Sequence, residues 1–240
     1  LHPDLNGKLI DGTRIYEEGQ SMYRMLLPEW AGVDQETGAP MWYTNTVDDN
    51  GNVTGREKTF KYTEAQKTDN RIATGSLLPD VYGGFGATLN AYGFDASIQL
   101  SYQLGGEIYD SGYSSLMHSG YVSYAGTNWH TDIRRAWTPE NRDTDVPRLN
   151  ASDQYTRSTS TRFLTSSDYL SLNNITIGYT IPAKVVRRIG LSKLRVYVSG
   201  DNLALLSARK GLDPRQSFTS ASVSTYTAIR SLSGGVSVSF

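Results

Sequence analysis

The chain alternates between apolar and polar positions with a period of two over several long stretches. The clearest runs from Phe94 to Leu104. Phe94, Ala96, Ile98, Leu100, Tyr102 and Leu104 fall on one side, and Asp95, Ser97, Gln99, Ser101 and Gln103 on the other. Successive side chains of a strand point to opposite faces, so this pattern predicts a strand with one apolar and one polar face. At about 3.3 Å per residue it spans about 36 Å, enough to cross a bilayer's apolar band when tilted about 45°.

Phe85, Ala87, Leu89 and Ala91 alternate in the same way, and only Tyr92-Gly93 separates the two runs, which predicts a tight hairpin. Ile175, Ile177, Tyr179 and Ile181 occupy odd positions, whereas Leu170 and Leu172 just upstream are even. The slip at Asn173-Asn174 predicts a β-bulge, and Pro182 ends the strand. Leu194 to Asp201 and Leu232 to Phe240 are further alternating runs. The first 80 residues are less regular. Ser21–Leu27 and Met41–Val47 read as strands or extended segments that would add two or three strands to the same sheet. Asp34–Gly38 and Asp48–Asn52 read as turns, and Ala183–Ile189 as a short helical stretch.

The connections sort by length. They run short at Tyr92-Gly93, long from Gly105 to about Arg162, short from Ala183 to Lys193, and long from Ser207 to about Ala228. Short turns at one end and long loops at the other are what a membrane barrel shows, and a soluble sandwich has no reason to sort them so. The polar faces are built from Ser, Gln, Thr, Asn, Asp and Gly, which suit a watery lumen.

Composition narrows the choice further. The chain has 240 residues, 38% hydrophobic and 20% charged, with 16 Tyr, 23 Gly and no Cys. Without cysteine there is no disulfide frame, thiolate zinc site or thiol nucleophile. A net charge of −1 offers no general attraction to nucleic acid. No apolar run is long enough for a transmembrane helix, which leaves a strand-built membrane protein open. The fold class expected is therefore all-β, an antiparallel transmembrane β-barrel segment, with a secreted carbohydrate-binding β-sandwich and a glycan-degrading enzyme as the alternatives.

Several stretches resemble the C-terminal third of the SusC/RagA family of TonB-dependent outer-membrane transporters. They include Glu29–Gly38, Val81–Phe85 with Tyr92–Asp95, Tyr102–Asp110, Trp137–Asn141, Ser160–Leu164, Asp168–Pro182, Leu194–Leu203 and Gly211–Pro214. Their order along nearly the whole chain makes the likeness specific, and Asn173–Tyr179 and Arg195–Gly200 are its most diagnostic parts. The resemblance implies that residues 1–240 are the C-terminal portion of a plugged barrel of about 22 strands. The signal peptide, TonB box and plug would lie outside this chain.

It further implies the bacterial outer membrane as location, and import of oligosaccharides or peptides driven by TonB. A SusD-like lipoprotein would act as the lid, and two transporters could pair. It implies no enzyme, cofactor or metal. The terminal Phe240 resembles the aromatic signal by which such barrels are recognised for assembly.

Aromatic faces stack on sugar rings, so Tyr121, Tyr124, Trp129 and Trp137 in the long loop are the expected cargo or lid contacts, with loop packing as the alternative. His2, His118 and His130 are expected to be solvated loop residues. Asp48–Asn52 lacks the glycine and glutamate of a calcium loop and reads as a hairpin turn. Nothing brings Glu17, Glu18 and Glu140 together as a glycosidase pair would require.

Overall fold

The computed structural model describes residues 7–217, 220–221 and 226–240. In chain order its strands begin with β1 (Lys8–Asp11), β2 (Arg14–Glu17), β3 (Arg24–Leu27), β4 (Trp30–Val33), β5 (Pro40–Val47), β6 (Val53–Thr59) and β7 (Ile72–Ser76). β8 (Val81–Ala91), β9 (Phe94–Leu104), β10 (Glu107–Asp110), β11 (Leu164–Ser166), β12 (Tyr169–Thr180), β13 (Lys193–Ser207), β14 (Ser220–Ala221) and β15 (Ser231–Ser239) follow. The helices are single turns or little more: α1 (Tyr62–Ala65), α2 (Ser111–Leu116) and α3 (Ala183–Val186). The chain divides into two units. One comprises residues 1–78, 107–165 and 218–224, the other 79–106, 166–217 and 225–240.

The second unit is a five-stranded sheet in the order β15-β13-β12-β9-β8, with every pairing antiparallel. Its register turns each strand's alternation into two continuous faces, because residues directly opposite one another share a face. On one side Phe85 meets Leu100, Ala87 meets Ile98, Ile98 meets Ile175, Ile177 meets Val198 and Val198 meets Gly234. On the other Thr88 meets Ser97, Ser97 meets Thr176, Thr176 meets Ser199 and Ser199 meets Ser233. The polar side is laced by Thr176 Oγ1 with Ser199 Oγ at 2.7 Å and by Asn174 Nδ2 donating to Asp201 Oδ1 at 2.7 Å.

The apolar face is not covered. Phe85, Leu89, Phe94, Ile177, Val196, Val198, Leu206, Leu232 and Val236 are all exposed. A sandwich would bury this face against a second sheet. The face is also banded. Phe94 packs on Tyr179 with ring centroids 4.5 Å apart near the short-turn end, and Phe85 lies beside Tyr102 at 6.3 Å near the other end. Ala96, Ile98 and Leu100 occupy the stretch between. Phe94 and Tyr102 are eight residues apart, about 26 Å along the strand at roughly 3.3 Å per residue. Aromatic girdles flanking an aliphatic band are the pattern of a strand wall in a bilayer.

The predicted hairpin has Tyr92 at φ 53° and Gly93 at φ 87°, the two positive values that a tight turn needs to match the strands' twist. The predicted bulge lies where the phase slips, between Leu172 and Asn174. A second irregularity was not legible. Ile98 and Leu100 are two residues apart, their partners Ile175 and Leu172 three, and the next partners Gly200 and Ala204 four. One extra residue flips the alternation of β12. Two extra residues restore it in β13, so that strand shows no slip, although Asn202 takes a positive φ of 51° there.

On the polar face near the short turns, Arg195 pairs with Asp95, Nε to Oδ1 at 2.8 Å and Nη2 to Oδ2 at 2.5 Å. The pair spans Gly178, where a Cβ would stand 2.5 Å from Arg195 Nη2. Tyr197 likewise lies over Gly235, where a Cβ would come 2.5 Å from its hydroxyl.

The first unit corrects two expectations. Its early strands do not extend the five-stranded sheet. β1-β2-β3-β7 form one sheet and β4-β5-β6 another. The long connection after β9 is not simply a loop either, since it contributes to a hydrophobic core of Leu27, Tyr109, Met117, Val146 and Phe163. A second core joins Trp42, Tyr62 and Ala65, with Trp30 and Tyr155 packed against it. In that core the Trp42 ring meets Trp30 edge-on at 5.6 Å, and Tyr62 stacks on Tyr155 at 5.3 Å.

Candidate functional site

Three of the four aromatic residues expected to contact cargo or lid meet in the first unit, around a histidine. Tyr121 and Tyr124 are joined by a 3-10 turn over Val122–Tyr124 that brings their rings edge to face at 5.8 Å. His118 meets Tyr124 edge-on at 5.5 Å and stacks on Trp129 at 4.9 Å with a 23° interplanar angle. The Arg157 guanidinium sits 3.7 Å above the Tyr124 ring, a cation–π contact. Trp129 Nε1 donates to the His118 carbonyl at 2.9 Å, which fixes the indole's rotation.

His118 is not the solvated loop residue expected. It is 1% exposed. Its Nδ1 accepts from the Gly120 amide at 3.2 Å, so that nitrogen carries no proton. Nε2 lies 2.9 Å from Thr127 Oγ1, which itself donates to the Tyr124 carbonyl at 2.6 Å. The ring is thus a neutral imidazole donating through Nε2. Burial pushes its pKa below the ordinary imidazole value. Sequence gave no signal for this role, because nothing in the spacing of His118 marks it as the centre of a packed group.

One face of Trp129 is taken by His118, yet the residue remains 46% exposed. An indole held rigidly by stacking and by its own N–H, with area left open, is a preformed platform for a flat partner such as a pyranose ring or a planar side chain.

Trp137 is placed elsewhere. Its indole packs against Gly38, at φ 71°, where no Cβ could fit, and Nε1 donates to the Gln35 carbonyl at 3.1 Å. Arg148 donates to the Thr37 carbonyl at 2.6 Å, and Asp34 accepts from the Thr37 amide at 2.9 Å. Trp137 therefore anchors the Asp34–Gly38 turn, the packing alternative. The Asp48–Asn52 run is the hairpin turn expected, joining β5 to β6, with Asp48 Oδ1 accepting from the Asn50 and Asn52 amides at 2.9 and 2.8 Å. Phe240 follows β15 and is 94% exposed. His130 caps the 3-10 turn Thr131–Arg135, its Nδ1 accepting from the Asp132 amide.

In the second unit, the Gly211–Pro214 motif forms part of a clamp. Asp213 is 4% exposed and takes Arg215 in a two-pronged pair, Nε to Oδ1 and Nη2 to Oδ2, both at 2.8 Å. Arg215 Nη1 also donates to Ser171 Oγ at 2.8 Å, tying the segment to the polar face of β12. Burial pushes the Asp213 carboxyl up, but the hydrogen bonds and charge of Arg215 outweigh it and hold it below the ordinary carboxylate range.

No family model matches the chain. Among curated proteins, TonB-dependent receptor P3 of Formosa agariphila is 29% identical over 209 residues, covering 86% of this chain and 20% of that protein. TonB-dependent receptor P26 of the same organism is 27% identical over 150 residues, covering 62% of this chain and 15% of that protein. The chain thus spans about a fifth or less of the length of these curated relatives. Among solved structures, the RagAB peptide transporter superposes over 98% of the chain with a TM-score of 0.75 at 24% identity, and the chain covers 25% of it. The RagAB peptide importer in its closed-closed state gives 0.73 at 25% identity, with the same coverage.

Proposed function

We propose, on the premise that this chain is a segment of a SusC/RagA-type TonB-dependent transporter, that it supplies one wall and outer loop structure to an outer-membrane importer of oligosaccharides or peptides. The observation that carries the reading is the uncovered, banded apolar face of the five-stranded sheet. In lipid every backbone donor and acceptor must be paired, and each orphan costs several kcal/mol. The outer edges of β8 and β15 have no partner strand among the described residues. Strands of the same barrel on both sides would satisfy them.

The long segments all join the sheet at the end opposite the Tyr92-Gly93 turn, which in such barrels is the extracellular end. The connections that leave the sheet at that end would then emerge outside, where cargo arrives and where a SusD-like lipoprotein would dock. TonB would act through parts outside this chain. The role is passage rather than chemistry, in keeping with relatives named as receptors. Neighbours described as peptide transporters favour peptide over glycan as the first cargo class to test.

Within the first unit, Trp129 is the best-placed contact, with Tyr121 and Tyr124 holding the platform. The test is binding of peptide and oligosaccharide libraries to the full-length transporter and its Trp129→Ala variant, in detergent. Loss of about tenfold in affinity for one class, with the folded fraction unchanged, is the expected result. Equal affinity would assign the cluster to loop packing.

A further inference from the structure

A cavity of the first unit lies between the β2-β3 hairpin and the segment that follows β10, with the core residue Tyr109 in its wall. It measures about 280 Å³ and is lined by Thr13, Arg14, Tyr23, Arg24, Met25, Leu77, Tyr109, Ser111 and Thr159. That volume suits one sugar residue or one amino-acid side chain, at the small end of ligand sites.

Its chemistry is one-sided. Two guanidinium groups line it, and no carboxylate does. Arg24 spends Nη1 on Glu17 Oε2 at 2.7 Å and Nε on the Thr74 carbonyl at 3.0 Å, which leaves Nη2 without a partner among the described residues. Arg14 makes no ion pair or side-chain hydrogen bond among the described residues, although its backbone is fixed by pairing with Asp11 and Met25. The Tyr23 hydroxyl likewise has no partner among the described residues. The exposed Arg14 guanidinium, Nη2 of Arg24 and the Tyr23 hydroxyl line the recess together with Met25 and Leu77, the latter 4% exposed. Fixed guanidinium forks match a carboxylate's two oxygens, and such charge-assisted pairs are about twice as strong as neutral ones.

The other basic recess differs on this point. It is lined by Lys8, Lys67 and Arg71, but also by Asp69. Each of its cations is engaged, Lys8 with Glu17, Lys67 with Glu64, and Arg71 with the Gln66 and Gly12 carbonyls, so it holds no counterpart of Arg14, the cation of the first recess that Glu17 does not already pair.

We propose that the Arg14–Tyr23–Arg24 recess is a binding site for a carboxylate-bearing residue, with Arg14 as the principal fork. The carboxylate could belong to a uronate sugar or to a peptide's C-terminus. The site goes beyond the import reading, since binding can be present whether or not transport is observed.

The experiment uses the full-length transporter in detergent and isothermal titration with digalacturonate and with tetra-alanine. The uncharged controls are the methyl ester of the first and the C-terminal amide of the second. At least one acid is expected to bind with its uncharged derivative about tenfold or more weaker, and the acid that binds identifies the source. Arg14→Gln should cost a similar factor, whereas Lys58→Gln, at an exposed position of the same unit, should cost nothing. The wild-type comparison of acid with ester or amide needs no variant, so a misfolded Arg14→Gln leaves the test intact. Absence of binding by both acids, equal binding of the uncharged forms, or full affinity in folded Arg14→Gln would each overturn the site. None of those results would bear on import, which is read separately by uptake.

Discussion

His118 shows how much one side chain can hide in a sequence. It was expected to be a solvated loop residue, and it sits 1% exposed beneath Trp129 with both ring nitrogens engaged. Three neighbours of the site, Tyr121, Tyr124 and Trp129, were legible because aromatic faces in a long loop are natural stacking surfaces for a sugar ring. Arg157 was not, since only folding brings it over Tyr124. Protonating His118 would remove the lone pair that accepts the Gly120 amide. With its folded-state pKa held below the ordinary value of about 6.5, the opened form takes up a proton first as pH falls. Stability from this cluster is therefore present above about pH 6.5 and declines below it. Hydrogen exchange of the 118–129 segment, corrected for intrinsic rates, should show protection falling between about pH 6.5 and 5. Unchanged protection would mean that the ring's neutrality contributes nothing.

At the scale of elements, the strands of the five-stranded sheet could be read almost entirely from period-two alternation, because one face of each must differ from the other. The elements of the first unit could not. Its strands are mostly four or five residues long, and its two cores join residues more than a hundred positions apart, as Leu27 does with Phe163. Neither leaves a periodic trace. The bulge of β12 was visible as a phase slip, whereas the two extra residues of β13 cancel in phase and vanish.

This difference can be tested. Deleting Asn173 and Asn174 together, one residue more than the bulge adds, should turn Leu170 and Leu172 toward the polar face and sharply lower the heat-modifiable, folded fraction in outer membranes. Asn173→Ser, which keeps the residue count, should leave it nearly unchanged. Equal folded fractions in the two variants would rule out a register role. The Asp213–Arg215–Ser171 clamp is a second element-level device. Asp213 has a depressed pKa, so its contribution is present above the ordinary carboxylate value of about 3.9 and is lost only as pH falls below it. Trypsin cleavage at Arg209 and Lys210 should thus be slow at pH 7.5 and several-fold faster in Asp213→Asn at the same pH. A variant cleaved at the wild-type rate would show that the clamp does not restrain the segment.

At the scale of the whole molecule, the two units follow different rules. One buries its large residues in two aromatic-rich cores, and the other leaves a row of Phe, Leu, Ile and Val uncovered. Water would penalise that row at about 25 cal/mol per Å² of apolar surface, whereas hydrocarbon would not. The same residues that make a poor soluble sheet make a good membrane wall, and the lumenal ladder of Ser, Thr and Asn completes the pattern. The most direct measurement places a nitroxide in turn at residues 98, 99, 176 and 177 of the full-length protein in lipid bilayers and compares relaxation by oxygen with relaxation by a water-soluble nickel complex. Positions 98 and 177 should respond to oxygen and be shielded from the nickel complex, and 99 and 176 should do the reverse. Strong relaxation by the nickel complex at 98 and 177 would place the apolar face in water and contradict the account.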